Sequence, residues 1–464
     1  MKTTKKKILT LLLSLAMIMS SMSVAFAAED PSGSTAIGNF DGGTVTINAS
    51  NADDSFALYK VVDITYNETS NSVNYAFTSG VEAYLATLPE ADRVSVETYQ
   101  GWGNESNELK AFLAGYAEYV KTHSVASSYA ATASQGVATV SNVALGQYMV
   151  LGTGSATGAY IYQIMTATFK PDKDLNVNNA VTLGSKASLP TLAKAANKTS
   201  VTAGDEIEYT LTIGVPTYPV GAENKSFVVK DVLPAGFDYV TNSQSVDVAA
   251  DAVVFAADGK NLTWTFVFDK ISAQQTVTIQ YKAKATTPAI TTGNTNTATL
   301  TYSKSPFGTD ATHDITASAT VYSYELDITK EDKSDGTKLD GVVFDVYNSS
   351  GAKVTTVTTD ENGKATVSGL ALGTYTLKET KAATGYADPI NVSLNVTLSD
   401  NNLDGVLDED TDGVHSVTIT NTKGVFNIPT TGDSGTLMFK FAAMALMALA
   451  VAIMLVMRRK QARR

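Results

Sequence analysis

Over most of its length the chain alternates apolar and polar residues in short runs, the period of strands with one buried face. Residues 43–48 and 56–64 read this way near the start. Further on, so do 206–213, 226–232, 261–268, 276–282 and 297–302, then 342–347, 353–358, 373–378, 390–398 and 415–420. Gly, Asn, Asp and Pro punctuate the runs at short intervals, which predicts sandwiches of antiparallel strands. One stretch breaks the pattern. Between residues 107 and 121 Leu109, Phe112, Leu113, Tyr116 and Val120 recur at helical spacing, with Ser106 or Asn104 available as cap. The expected fold is therefore mainly β, with one clear helix in a mixed α+β N-terminal segment. There is no short-period repeat of the solenoid kind.

Both ends depart from this texture. Lys2, Lys5, Lys6 and Lys7 precede an apolar run over 8–19, and Ala25-Phe26-Ala27 follows as a small-residue cleavage site. That is a secretory signal, with cleavage expected after Ala27 and a run too short to anchor. At the other end an apolar run over 441–457 closes with Arg458, Arg459, Lys460, Arg463 and Arg464. Such a run nearly spans a bilayer and leaves its basic tail on the cytoplasmic side.

Composition narrows the chemistry. The 464 residues suffice for about three domains. Cys is absent, which removes disulfides, thiolate metal sites and thiol nucleophiles. Only His123, His313 and His415 occur, far apart, so a His-based metal or catalytic site is not expected. The net charge is −12; residues 28–431 alone carry −21, because the signal holds four Lys and no acid while 432–464 hold six basic residues and one acid. This argues against nucleic-acid binding. No cofactor is expected.

The informative residues are polar ones on apolar faces. Leu326, Ile328 and Lys330 share one side of a strand; so do Tyr375, Leu377 and Glu379, and Val417, Ile419 and Asn421. Earlier, Leu192 pairs in parity with Lys194, Phe227 and Val229 with Asp231, and Ala298, Leu300 and Tyr302 with Asn296. The order amine, acid, amide thus occurs twice. Each group is costly to bury without a partner. Parity alone allows a plainer reading, in which these residues end their strands and swing into water.

Specific motifs resemble a known family, the sortase-assembled shaft pilins of Gram-positive bacteria. Ile428-Pro429-Thr430-Thr431-Gly432 resembles the LPxTG sorting signal, with Ile in place of Leu. By that resemblance a sortase cuts between Thr431 and Gly432 and transfers the Thr431 carboxyl to an amine. Leu-Asp-Ile-Thr-Lys at 326–330, Leu-Asp-Gly-Val-Val-Phe at 339–344, the stretch 375–386 around Glu379 and Val-Thr-Ile-Thr-Asn at 417–421 resemble a CnaB-type domain. The Glu379 stretch is similar to the pilin E-box, with Ala383 where Pro is usual. The resemblance implies an isopeptide bond between Lys330 and Asn421, assisted by Glu379. Residues 202–209, 229–236 and 296–302 resemble a CnaA-type domain, which implies Lys194, Asn296 and Asp231 in the same roles; Lys198 and Asn294 compete as nucleophile and electrophile. The stretch 56–63 and Gly-Gln-Tyr-Met-Val at 146–150 are similar to the N-terminal domain of shaft pilins. Burial favours a neutral Lys amine, and a buried acid can hold a proton to polarise the amide and release ammonia. The bond forms once per chain, so the protein is not an enzyme in the usual sense.

The expected divisions are a signal peptide at 1–27, an N-terminal pilin domain at 28–188, tandem Ig-like sandwiches at 189–321 (CnaA-type) and 322–424 (CnaB-type), and a sorting signal at 425–464. A polymerising subunit also needs an acceptor amine. Phe169-Lys170-Pro171-Asp172-Lys173 lies where shaft pilins carry their pilin motif, which implies Lys170, then Lys173 and more remotely Lys186. Implied partners are a sortase, neighbouring subunits, peptidoglycan and a host or bacterial surface receptor; the implied location is a wall-anchored pilus. The rival is a wall-anchored adhesin or minor pilin that does not extend a polymer. Asp400-Asn401-Asn402-Leu403-Asp404-Gly405 matches the first half of a calcium loop, but position twelve is Thr411; a solvated acidic turn is the favoured reading and no metal is expected.

Overall fold

The computed structural model describes residues 28–423 apart from 30–32, 105, 154–158, 223–224, 291, 305–306, 308–311, 388–392 and 411. The signal segment 1–27, the pentapeptide Ile428 to Gly432, the apolar run 441–457 and the basic tail lie outside the described residues, as do Thr411 and the start of the run expected at 390–398. Among the described residues no helix is long and apolar enough to cross a membrane.

The chain forms two compact units. Among the described residues the first takes in those up to 199, 204–286 and 294–321; the second takes in 200–203, 287–293 and those from 322 to 423.

In the first unit, residues 28–188 build a four-stranded sheet in the order Ala28–Glu29, Ala180–Gly184, Gly43–Asn48, Val137–Val143, and a five-stranded sheet. The latter runs Met165–Phe169, Gly146–Gly152, Ser55–Asn67, Ser72–Phe77, with Tyr129–Thr132 also paired to Ser55–Asn67. Phe56, Leu58, Val45, Ile47, Tyr148 and Phe169 fill the space between sheets. Helix Asn107–Thr122 forms at the expected place; the Ser106 hydroxyl accepts the Leu109 N–H at 3.2 Å. Its Leu109, Phe112, Leu113, Tyr116 and Val120 are all buried. The expectation of one helix is corrected by two more, Ser79–Thr87 and Val96–Gln100. Both are short. Their stability comes from Val81, Tyr84 and Tyr99 packing onto the long helix, a contact that periodicity within one segment cannot reveal.

The rest of the first unit is a sandwich of two five-stranded sheets. One orders Thr191–Ala196, Glu206–Gly214, Thr276–Ala285, Phe237–Tyr239, with Ser245–Val246 also on Thr276–Ala285; the other orders Val253–Asp258, Asn261–Phe266, Phe227–Val232, Asn294–Ser303, Thr312–Val321. It is fastened to the preceding sheets. Ala222 and Phe307 bury themselves in the helical cluster, Gln163 Nε2 donates to the Thr217 carbonyl at 2.8 Å, and the Tyr302 hydroxyl donates to the Ala159 carbonyl.

The second unit packs a three-stranded sheet, Lys364–Leu370, Tyr324–Asp332, Val414–Asn421, on a four-stranded one, Lys353–Thr358, Val343–Tyr347, Gly373–Lys381, Ser393–Leu398. Tyr324, Leu326, Ile328, Phe344, Val346, Leu370 and Leu377 form its core. Tyr324–Asp332 and Val414–Asn421 run parallel, with Lys330 opposite Ile419 and Asp332 opposite Asn421. Side chains two apart in register on one face lie within reach of a long residue, and this sets Lys330 toward Asn421.

Candidate functional site

Strand alternation places the first cluster. Tyr324–Asp332 alternates buried and half-buried positions throughout, so Lys330 follows Leu326 and Ile328 into the interior, fully buried. From the facing sheet, Tyr375, Leu377 and Glu379 point inward together. Asn421 ends its strand half-buried on the face of Val417 and Ile419. The three polar groups close a triangle. Lys330 Nζ donates to Glu379 Oε2 at 2.9 Å and to Asn421 Oδ1 at 2.6 Å, and Asn421 Nδ2 donates to Glu379 Oε1 at 2.7 Å. The Phe344 ring lies 5.7 Å from Nζ. Backbone holds the amine in place: Lys330 N–H donates to the Gly363 carbonyl at 2.7 Å, and Gly363 sits at φ +67°, where a Cβ would meet the Lys330 carbonyl oxygen at 2.5 Å. Burial pulls the Lys330 pKa down, with the hydrogen bond and charge of Glu379 opposing.

This pattern differs in one respect from the sequence expectation, in which the acid hydrogen-bonds the amide oxygen. Here Glu379 accepts from the amide nitrogen and Lys330 donates to the amide oxygen, the arrangement of an ammonium–carboxylate pair.

The second cluster bridges two sheets. Lys194 and Tyr281 come from one, Asp231 and Asn296 from the other. Lys194 and Asp231 are an ion pair with fully buried side chains, and Asn296 is fully buried beside them. Lys194 Nζ also donates to the Tyr281 hydroxyl at 3.1 Å, and Asn296 Nδ2 donates to the same oxygen at 2.7 Å. Burial pushes the Lys194 pKa down to about 8 against the pull of Asp231, and burial pushes Asp231 up against the pull of Lys194. The competing residues sit elsewhere. Lys198 pairs with Asp205 at 3.2 Å, both half-buried, and Asn294 Nδ2 donates to the Val321 carbonyl at 3.3 Å. Asn296 lies in the penultimate strand of the sandwich, since Thr312–Val321 follows it.

No lysine is buried among the described residues of 28–188, where Asp54 is the buried charged side chain, bonded by the Tyr162 hydroxyl. Lys170 is exposed directly after the buried Phe169. Lys173 is also exposed and pairs with Asp174 at 2.5 Å; Lys186 is half-buried. In the acidic loop the buried Asp400 accepts from the Leu403 and Gly405 N–H groups at 2.7 and 2.9 Å and from the Tyr324 hydroxyl at 2.6 Å. Its carboxylate thus serves the turn itself, and among the described residues no group of acids or histidines is arranged to hold a metal ion.

One participant and one neighbouring acid escaped the sequence reading. Tyr281 follows Val277 and Ile279 on the inward face of its strand, so the rule that found Lys194 would also have found it. Asp332 continues the face of Lys330. It accepts from the Ser334 hydroxyl and the Tyr386 hydroxyl, each at 2.5 Å, and these bonds hold its carboxyl well below the usual range.

Comparison with known proteins places these features in a fold. Residues 324–412, the stretch whose motifs resemble a CnaB-type domain, match the family of the SpaA prealbumin-like fold domain. The trypsin-resistant surface T6 protein of Streptococcus pyogenes serotype M6 is 26% identical over 415 residues, spanning 78% of this chain and 72% of that protein. Among solved structures, the T6 backbone pilin of the same serotype aligns with a TM-score of 0.62 at 23% identity, over 77% of this chain and 80% of its own. The major pilin SpaD of Corynebacterium diphtheriae aligns with a TM-score of 0.55 at 17% identity, over 82% of this chain and 98% of its own. The fold is that of these pilins: tandem Ig-like β-sandwiches following a mixed α+β N-terminal part.

Proposed function

We propose that this protein is the shaft subunit of a covalently polymerised Gram-positive pilus, strengthened by isopeptide bonds between Lys330 and Asn421 and between Lys194 and Asn296. The observation that carries the proposal is the buried triangle of Lys330, Glu379 and Asn421, in which a nucleophile, a proton carrier and an amide meet with no solvent-exposed charge on the lysine. The proposal divides the chain into an N-terminal domain at 28–188 and sandwiches at 189–321 and 322–424, between a signal at 1–27 and a sorting signal at 425–464.

The chemistry follows from the contacts. One proton passes from the Lys330 ammonium to Glu379 and leaves a neutral amine. A turn of the Asn421 amide brings its oxygen to the protonated Glu379, which polarises the carbon. The Nζ lone pair adds to Cγ; the proton shed by Nζ reaches Nδ2 by way of Glu379, the Cγ–Nδ2 bond breaks, and ammonia departs. No external reagent is consumed. The finished bond ties the first described strand of the second unit to its last across 91 residues, so tension entering at one passes directly to the other.

Peptide mapping tests this. A branched peptide containing Lys330 and Asn421 is expected from the natural protein and absent from Glu379→Ala, while the Lys194–Asn296 branch persists in both. Glu379→Gln is expected to fail as well, because an amide polarises but does not shuttle a proton. Linear peptides only, from the natural protein, would refute the assignment.

Polymerisation through Thr431 and wall attachment by a sortase rest on the Ile428 to Gly432 motif and on the likeness to surface pilins. The acceptor amine in this reading is Lys170.

A further inference from the structure

The acid of the second cluster is one methylene shorter than Glu379, yet it faces the same two neighbours. In the second unit the two Glu379 oxygens serve both, one receiving Lys330 Nζ and the other Asn421 Nδ2. Between the two sheets of the other sandwich, Asp231 Oδ2 receives Lys194, but Asp231 Oδ1 and Asn296 Oδ1 have no hydrogen-bond partner. The Asn296 amide nitrogen is received by the Tyr281 hydroxyl, which also receives Lys194 Nζ.

Tyr281 is held for this task. Its ring is fully buried, stacked 5.5 Å from Tyr209 and tilted 5.5 Å from Trp264, and strand pairing sets it directly opposite Tyr209. A phenol offers one donor and two acceptor lone pairs. The two acceptor contacts are those to Lys194 and Asn296, which leaves the O–H to donate toward the neighbouring Asp231. Burial and the Asp231 charge keep the group a phenol. In the second unit the ring beside the lysine belongs to Phe344, which has no hydroxyl, and there the longer acid touches the amide itself.

We propose that Tyr281 is a catalytic proton relay in formation of the Lys194–Asn296 bond, supplying the contact to the leaving nitrogen that the second oxygen of Glu379 supplies in the other cluster. This rests on the reading of both clusters as cross-linking sites. The Lys194 ammonium first gives a proton to Asp231, and the neutral amine adds to Asn296 Cγ and forms the Nζ–Cγ bond. The Tyr281 hydroxyl gives its own proton to Nδ2 as the Cγ–Nδ2 bond breaks and is reprotonated by Asp231, which takes up the proton shed by Nζ. Of the two protons that leave the ammonium, one ends on ammonia and the other on Asp231, and the tyrosine ends as it began.

The test is an intact-mass time course on residues 28–431, which contain all the described residues of both units. Tyr281→Phe keeps the ring between Tyr209 and Trp264. It is expected to lose the ammonia of Lys330–Asn421 as promptly as the natural protein, and that of Lys194–Asn296 at least about 100-fold more slowly. Adding Asp231→Glu to Tyr281→Phe gives the acid the reach of Glu379 and is expected to restore the second loss. Prompt loss of both ammonias from Tyr281→Phe would overturn the relay. Absence of the second loss from both variants would also overturn it, by making Tyr281 a packing residue. A natural protein that never loses the second ammonia would instead remove the cross-linking reading beneath the proposal, a result visible without any variant.

Discussion

Asn421→Ala is expected to lower the unfolding midpoint of the second unit by about 20–30 °C. The substitution leaves the Lys330–Glu379 pair intact at 2.9 Å, so no buried charge is orphaned and the change reports chiefly the missing covalent bond. A cross-link closing a loop of about a hundred residues restricts the unfolded chain by roughly 4–5 kcal/mol in the chain-entropy account. For a domain of this size each kcal/mol moves the midpoint by about 4–8 °C. The amide's hydrogen bonds add only about 1 kcal/mol each and cannot produce such a shift alone. Calorimetry on residues 28–431 would resolve the transition, and a fall of only a few degrees would mean that the strands bearing Lys330 and Asn421 are not covalently joined. Lys330→Ala should destabilise further, because Glu379 would then be buried without its amine.

Lys170→Ala is expected to abolish the high-mass ladder that cell-wall extracts of a polymerising pilin give on denaturing gels, leaving a single band. The local structure favours this lysine. Phe169 is fully buried and paired with Gly146 at the end of its strand, which fixes the following residue outward. Pro171 bridges to Val177 and holds the turn. The alternatives are less available: Lys173 is engaged by Asp174 and Lys186 is half-buried. Lys170→Arg sharpens the test, since a guanidinium remains protonated and cannot accept the Thr431 acyl group while the surface charge is kept. A ladder unchanged in both variants would move the acceptor elsewhere; a single band from the natural protein would favour the non-polymerising adhesin.

How much of this was legible beforehand depended on whether a signal lay within one strand or between strands. Strand parity needs only neighbouring residues, so the inward positions of Lys194, Asp231, Lys330 and Glu379 could be read from the chain. The choice between Lys194 and Lys198 could not, because it depends on which lysine meets Asp231 across two sheets. The helices Ser79–Thr87 and Val96–Gln100 were hidden for a similar reason: they are stabilised by side chains of the long helix rather than by their own pattern. Tyr281 was passed over because a tyrosine on an apolar face raises no alarm, whereas a lysine does. Its significance emerges only when the Asn296 amide nitrogen proves to be received by the Tyr281 hydroxyl while Asp231 Oδ2 holds Lys194. The division at 321 likewise conceals a structural fact, since residues 200–203 belong with the second unit, where Val201 N–H donates to the Tyr322 carbonyl at 2.9 Å.

The central claim is that buried amines and amides of this chain join themselves. High-resolution intact mass of residues 28–431 tests it most directly. The account predicts a mass below that of the sequence by two molecules of ammonia, with one restored in Glu379→Ala and the other in Asp231→Ala. A mass equal to that of the unmodified sequence would contradict it.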